Sequence, residues 1–162
     1  MSGHYDAAQI CLNGHVINDN FHDYPDHNAC NCPKCGEPTT IACASCKAEI
    51  RGSYEADGVA LFGAQYQLPA FCHNCGRPYP WTDRKLKAAT ELADELDELN
   101  PEEKEKLKRS LNDLVRESAN SEVASLRFKK VMKKVGKESY EGMKSILTSI
   151  ASEALKKTIF GP

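Results

Sequence analysis

The sequence predicts a small metal-bound β module, two tandem zinc ribbons, followed by an all-α helical bundle. Three observations carry that reading. Cysteines recur as closely spaced pairs, and two of the pairs continue into the same pattern, C-x-x-C-G-x-P. The composition changes abruptly at Pro78-Tyr79-Pro80-Trp81. Beyond that point apolar residues return at helical spacing. The chain has 162 residues and eight cysteines, and all of its cysteines and histidines lie before Trp81. Residues 1–80 carry 4 Lys+Arg and 8 Asp+Glu, whereas residues 81–162 carry 17 and 15. Two modules are therefore expected, 1–80 and 81–162.

Eight thiols in a chain of this length are disulfides, catalytic groups or metal ligands. Residues 1–20 lack the basic and apolar segments of a secretory signal. No apolar run is long enough to span a membrane. A cytoplasmic location is the expectation, and thiols stay reduced there, which favours metal over disulfides. Paired ligands separated by a long loop from a second pair are the sequence form of a tetrahedral zinc site.

The first repeat opens at Cys11-Leu12-Asn13-Gly14-His15 and closes at Cys32-Pro33-Lys34-Cys35-Gly36. Asn13 and Gly14 tolerate the positive φ of a tight turn. The expected ligands are Cys11, His15, Cys32 and Cys35. Cys30 is the alternative to His15; the imidazole is preferred because C-x-x-x-H makes a compact turn and Cys30 has no partner of its own. The second repeat supplies Cys43, Cys46, Cys72 and Cys75. Its loop alternates well enough for strands near 48–54, 59–62 and 66–68. Cross-braced pairing, as in RING-type domains, is the competing arrangement; the repeat favours tandem pairing because each C-G-x-P segment ends a unit. A core this small and polar cannot stand on apolar burial alone. Two structural Zn2+ ions would supply the deficit, each about 10–16 kcal/mol in small peptides.

The segments His4–His15, Cys32-Pro33-Lys34-Cys35-Gly36 and Phe71–Thr82 resemble a bacterial family of double zinc-ribbon proteins known mainly as a domain of unknown function. The resemblance implies a bacterial, cytosolic zinc-ribbon protein and supplies no reaction. Cys30 departs from the family pattern, which is apolar or aromatic near that position.

The second module reads as about four amphipathic helices. Thr82 or Asp83 is expected to cap the first, whose stripe is Leu86, Ala89, Ala93, Leu96 and Leu99. Asn100-Pro101-Glu102-Glu103 signals a restart with an Asn cap, Pro at the first position and Glu three residues past the cap. Leu107, Leu111, Leu114 and Val115 continue it. Ser121 is expected to cap a third helix striped by Ala124, Phe128, Val131, Met132 and Val135 and ending at Gly136. A last helix is expected over 138–159. Such stripes bury one another as a bundle. The last helix is the best candidate for self-association, because its polar face is mostly small Ser and Thr.

Four protein donors at each metal leave no place for a substrate, so no enzymatic activity is expected. Asp19, His22, Asp23, Asp26 and His27 gather in one loop, whose Pro and Asn content reads as a polar surface turn. The expected role is an adaptor that binds a protein partner or forms a homo-oligomer. Aromatic anchors for it are Phe21, Tyr24, Tyr54, Phe62 and Tyr66. The alternative is nucleic-acid binding by the basic third helix through Arg127, Lys130, Lys133 and Lys134, with Lys129 and Lys137 beside them.

Overall fold

The computed structural model describes residues 3–58 and 65–162. The chain forms two compact units, Met1–Asp83 and Arg84–Pro162. Small sheets and two cysteine clusters make up the first, and helices make up the second.

In the first unit β1 (Gly3–Ala7) pairs antiparallel with β5 (Arg51–Ala56). A second sheet has the order β3-β2-β4, with β2 at Gln9–Cys11, β3 at Val16–Asn18 and β4 at Thr39–Thr40. One continuous stretch, 3–11, thus feeds both sheets and ties the two ribbons together. Where β1 shifts register between Tyr5 and Ala7, Gly52 lies against it. A Cβ on Gly52 would sit 2.1 Å from the Asp19 carbonyl oxygen, so only glycine fits this crossing. Ala8, Ile10, Ile50, Tyr79 and Trp81 form the core, together with the sulfurs of Cys43 and Cys72. The strand expected at 48–54 is β5, displaced toward the carboxyl side. No strand forms at 66–68, where Tyr66 donates its hydroxyl to the Arg51 carbonyl at 2.7 Å. The strand expected at 59–62 lies outside the described residues.

Five helices follow. α1 spans Pro80–Asp94. It starts earlier than its expected caps. Pro80 takes the first position, and the Thr82 and Asp83 amides donate to the Tyr79 carbonyl at 3.0 and 3.1 Å. Thr82 is fully buried and gives its hydroxyl to the Ala70 carbonyl at 2.8 Å, so it does not cap. α2 (Pro101–Val115) carries the expected capping box. Asn100 accepts from the Glu103 amide at 2.9 Å, and Glu103 accepts from the Asn100 amide at 3.2 Å.

α3 (Ser121–Met132) has no side-chain cap; the Ser121 hydroxyl turns back to the Asp113 carbonyl at 3.2 Å. α3 also stops short of Gly136. That residue is extended and precedes α4 (Lys137–Thr148), with its amide on Glu98 at 3.1 Å. The single last helix expected from the sequence is two helices. α4 ends at Thr148 and α5 (Glu153–Phe160) restarts with Ser152 accepting from the Leu155 amide at 3.2 Å. Serine competes locally for backbone donors, which is why it interrupts helices and caps them well. Leu107, Leu111, Leu114, Phe128, Met143 and Leu147 are buried in this unit. Among the described residues no helix is long and apolar enough to cross a membrane.

Candidate metal centres

Each ligand pair sits on a tight backbone turn, and three of the turns are the same. The amides of Cys32, Cys43 and Cys72 each donate to the carbonyl five residues on, at Glu37, Ala48 and Arg77, all at 2.8 Å. Each turn is closed by an antiparallel bridge, Asn31 with Pro38, Ala42 with Glu49 and Phe71 with Pro78. The residue after the second cysteine has positive φ in all three: Gly36 at 74°, Gly76 at 70° and Lys47 at 64°. The left-handed conformation aims successive amide hydrogens at the sulfur. Glycine adopts it freely, whereas the Lys47 side chain strains it. The fourth turn, Cys11–His15, differs: its ligands are four residues apart, and the Cys11 amide donates to the His15 carbonyl at 3.0 Å. Gly14 has φ of 87° there, and a Cβ on it would meet Trp81 Cβ at 2.9 Å.

These turns bring the donors into two groups. Cys11, His15, Cys32 and Cys35 form one; Cys43, Cys46, Cys72 and Cys75 form the other. Within each group all donor atoms lie within 4.8 Å of one another. Pairing is therefore tandem. Cys30 is exposed and stands outside both groups.

The spacing can be tested against a tetrahedral zinc site. Zinc–sulfur bonds of about 2.3 Å and zinc–nitrogen bonds of about 2.05 Å give sulfur–sulfur edges near ~3.8 Å and sulfur–nitrogen edges near ~3.5 Å. Cys11 and Cys35 sulfurs are 3.8 Å apart, Cys43 and Cys75 3.7 Å, and Cys46 and Cys72 3.7 Å. His15 Nδ1 lies 3.4 Å from Cys11 Sγ and 3.5 Å from Cys32 Sγ. All are far longer than a disulfide bond of about 2.05 Å. The two groups fit two structural zinc ions, one held by three thiolates and an imidazole, the other by four thiolates.

The surroundings favour ionisation at some of these thiols and oppose it at others. The Cys75 amide, with the Asn74 amide and the neighbouring thiols, outweighs burial and holds Cys72 down at about 6. The Asn74 side chain and the Ala48 amide lower Cys46, and the Glu37 amide lowers Cys35. For Cys75 the Arg77 amide pulls down, but burial and the Cys46 and Cys43 thiols push it up to about 11. Burial raises Cys11 against the His15 and Asn13 amides, and the His15 amide lies 3.2 Å from its sulfur. Hydrogen bonds to the ionised form are what make a thiol a ready metal ligand.

The loop cluster of Asp19, His22, Asp23, Asp26 and His27 does not converge. The donor groups at the two cysteine clusters are the only ones of their kind among the described residues. Asp19 accepts from the Ser53 hydroxyl at 2.5 Å, and His22 faces Glu49 at 3.3 Å. The buried Asp6, which sequence reasoning passed over, holds this loop instead, accepting from the His22 and Asp23 amides at 3.2 and 3.1 Å. Of the aromatic residues named as anchors, Tyr24 and Tyr54 are exposed at 57% and 44%. Phe21 and Tyr66 are half-buried, and Phe62 lies outside the described residues. Tyr5, not singled out from the sequence, is 52% exposed and stacks edge-on with Tyr54 at 5.0 Å. The basic residues sit on α3 and just beyond it, with Arg127, Lys130, Lys133 and Lys134 exposed.

Comparison with known proteins adds the family and nothing finer. No curated protein matches the chain, and no solved structure matches it. A family model matches residues 4–159, nearly the whole chain and both of its units. With two closed cysteine clusters followed by five helices, the chain belongs to a family of uncharacterised proteins conserved in bacteria, DUF2321.

Proposed function

We propose that this protein is a non-enzymatic, zinc-stabilised adaptor of the bacterial cytoplasm that works by binding a protein partner or a copy of itself. The observation that supports this reading is the closure of both donor sets. Each offers four protein ligands in tetrahedral spacing, which fills the coordination sphere of a structural zinc. Rigid ribbons then carry exposed aromatic side chains, Tyr5, Tyr24 and Tyr54, on their outer surface. Such residues dominate binding hot spots. Size-exclusion chromatography with light scattering, and affinity capture from the native host, test the reading. A defined oligomer or a stoichiometric partner is expected, lost in Tyr24→Ala or Tyr54→Ala at unchanged zinc content. A strict monomer that captures nothing would sink it.

Nucleic-acid binding is the second reading, favoured by the exposed cations of α3 and the segment after it. Part of that charge is already engaged: Lys134 pairs with Glu103, and Lys129 donates to the Thr158 carbonyl at 2.7 Å. Charge reversal at Lys130, Lys133 and Lys134 should abolish a salt-sensitive gel shift. Absence of such a shift in the unmodified protein ends this reading.

A further inference from the structure

Five cations from two helices meet over one groove. On α2, Lys106 and Arg109 are three residues apart. On α3, Arg127 and Lys130 are one turn apart, and Lys134 follows at the same phase just past the helix end. Helical repeat places each set in a row. α2 packs against α3, and the two rows face a groove of about 510 Å3 floored by the buried Val131. Glu103 is the single acid in its lining.

Part of the charge on α2 is neutralised, that of Lys106 in the groove lining included. Lys106 bonds Glu102 at 2.6 Å, and Lys108 bonds Asp94 at 2.5 Å and Glu105 at 3.1 Å. In the groove Glu103 is taken up by Lys134. Arg109, Arg127 and Lys130 are exposed and have no carboxylate in ion-pair range among the described residues. Three like charges gathered without counter-charge repel one another, which folding alone gives no reason to arrange.

The geometry points to a site for a small phosphorylated organic anion of about nucleotide size. Its phosphates would lie on Arg109, Arg127 and Lys130, and its organic body would lie on Val131 and the apolar stems of the basic side chains. Guanidinium forks match phosphate oxygens two at a time and also stack on planar rings. The volume falls within the range of small-ligand pockets, roughly 300–1,000 Å3. A nucleic-acid tract suits the site less well. The α3 row from Arg127 to Lys134 spans only about 10 Å at 1.5 Å per residue. Acids bound it in sequence, Glu122 on α3 and Glu138 on α4.

Titration calorimetry on the full, zinc-loaded chain at low salt tests this, with ATP, inorganic pyrophosphate, adenosine and a single-stranded oligothymidylate as probes. ATP should bind one to one, pyrophosphate more weakly and adenosine not measurably. Arg109→Gln and Arg127→Gln should each weaken ATP by roughly 10-fold or more, as expected for a lost charge-assisted hydrogen bond. Lys157→Gln, an exposed position outside the groove lining, should leave it unchanged. Zinc content and helical circular dichroism serve as folding controls for these exposed positions. No heat from either ATP or pyrophosphate at millimolar concentration overturns the proposal. So does equal binding of ATP and adenosine. Oligothymidylate binding that ATP does not displace would assign the cations to a polynucleotide instead. The proposal is independent of the adaptor reading, since neither result bears on partner capture.

Discussion

The two metal centres share a donor geometry and differ in what surrounds it. The second is embedded in the apolar core: Cys43 and Cys72 touch the cluster of Ile10, Ile50, Tyr79 and Trp81. Trp81 is 1% exposed, stacks on Tyr79 with ring centres 4.7 Å apart and donates to the Pro69 carbonyl at 2.8 Å. The first is braced by amides. Gln9 gives its side-chain nitrogen to the Ala29 carbonyl and Thr39 hydroxyl, both at 2.9 Å, and accepts from the Ala29 amide at 3.0 Å. Asn18 reaches the Tyr24 carbonyl at 2.9 Å and Asn28 at 2.7 Å. Cys11 and Cys32 are as buried as Cys43 and Cys72, so the ribbons differ in that the second joins the aromatic core and the first adds a polar network around its loop. A metal that joins a core to itself and a metal that pins a loop should fail differently.

The largest effect should come from breaking the second centre. Cys72→Ser removes a ligand and opens the core on which β2, and therefore Cys11, rests. Both metals should be lost and the whole ribbon unit should unfold, against a contribution of about 10–16 kcal/mol per structural zinc. Cys32→Ser should lose one equivalent of metal and leave the second bound. Metal stoichiometry by elemental analysis, read beside amide NMR spectra, separates the two outcomes. Equal losses in both variants would erase the contrast. Strong chelation of the unmodified chain should unfold the ribbons while helical circular dichroism from Arg84–Pro162 persists. Trp81 is the sole tryptophan, and Gly14 of the first centre lies against its stem, so its emission should shift furthest to the red when the second centre opens and less when only the first does.

A smaller effect probes the shells directly. Trp81→Ala should cost about 3–5 kcal/mol, the usual range for emptying a buried aromatic site. Gln9→Leu keeps the volume but strands the Ala29 amide, at about 1–3 kcal/mol, while the Ala29 carbonyl keeps the Thr39 hydroxyl at 2.7 Å. Urea unfolding followed by the amide NMR signals of the ribbon unit measures both. A harmless Gln9→Leu would mean that the polar brace is ornamental.

The helical unit provides an internal reference for acid sensitivity. The Lys134 ammonium and then the Asn100 amide hold the Glu103 carboxyl below the usual glutamate range. Its contribution is present above the unfolded-state value and is lost as pH falls through the lowered folded value. Glu103→Gln should flatten that limb of the stability curve. The smallest effect is expected at Lys47, whose positive φ is relieved by glycine. Lys47→Gly should stabilise the second ribbon by about 0.5 kcal/mol. Thermal unfolding detects the shift, and destabilisation would show that the Lys47 ammonium bond to the Ala44 carbonyl, 3.1 Å long, matters more than the backbone.

Much of the metal chemistry was legible as spacing, because ligands in a turn sit at fixed intervals whatever surrounds them. The Asn100 cap was legible for the same reason: its partners are three residues apart. Features that depend on distant neighbours were not. Thr82 looks like a cap but is fixed in the interior by the Ala70 carbonyl. The break at Ser149–Ser152 keeps the apolar phase of the flanking helices, so periodicity runs through it unbroken. The groove between α2 and α3 needs both helices side by side before Arg109 can be seen to face Arg127. Asp6 is invisible as a loop anchor until the chain returns sixteen residues later to meet it.

Each ribbon leaves one closing sulfur on its outside, Cys35 in the first and Cys75 in the second. An electrophile arriving from solvent meets that corner before any other. Alkylation with iodoacetamide should therefore mark Cys30, Cys35 and Cys75 ahead of the remaining thiols. Damage to these modules would begin at the rim of each centre and work inward, giving a protein exposed to chemical stress two matched points of first failure.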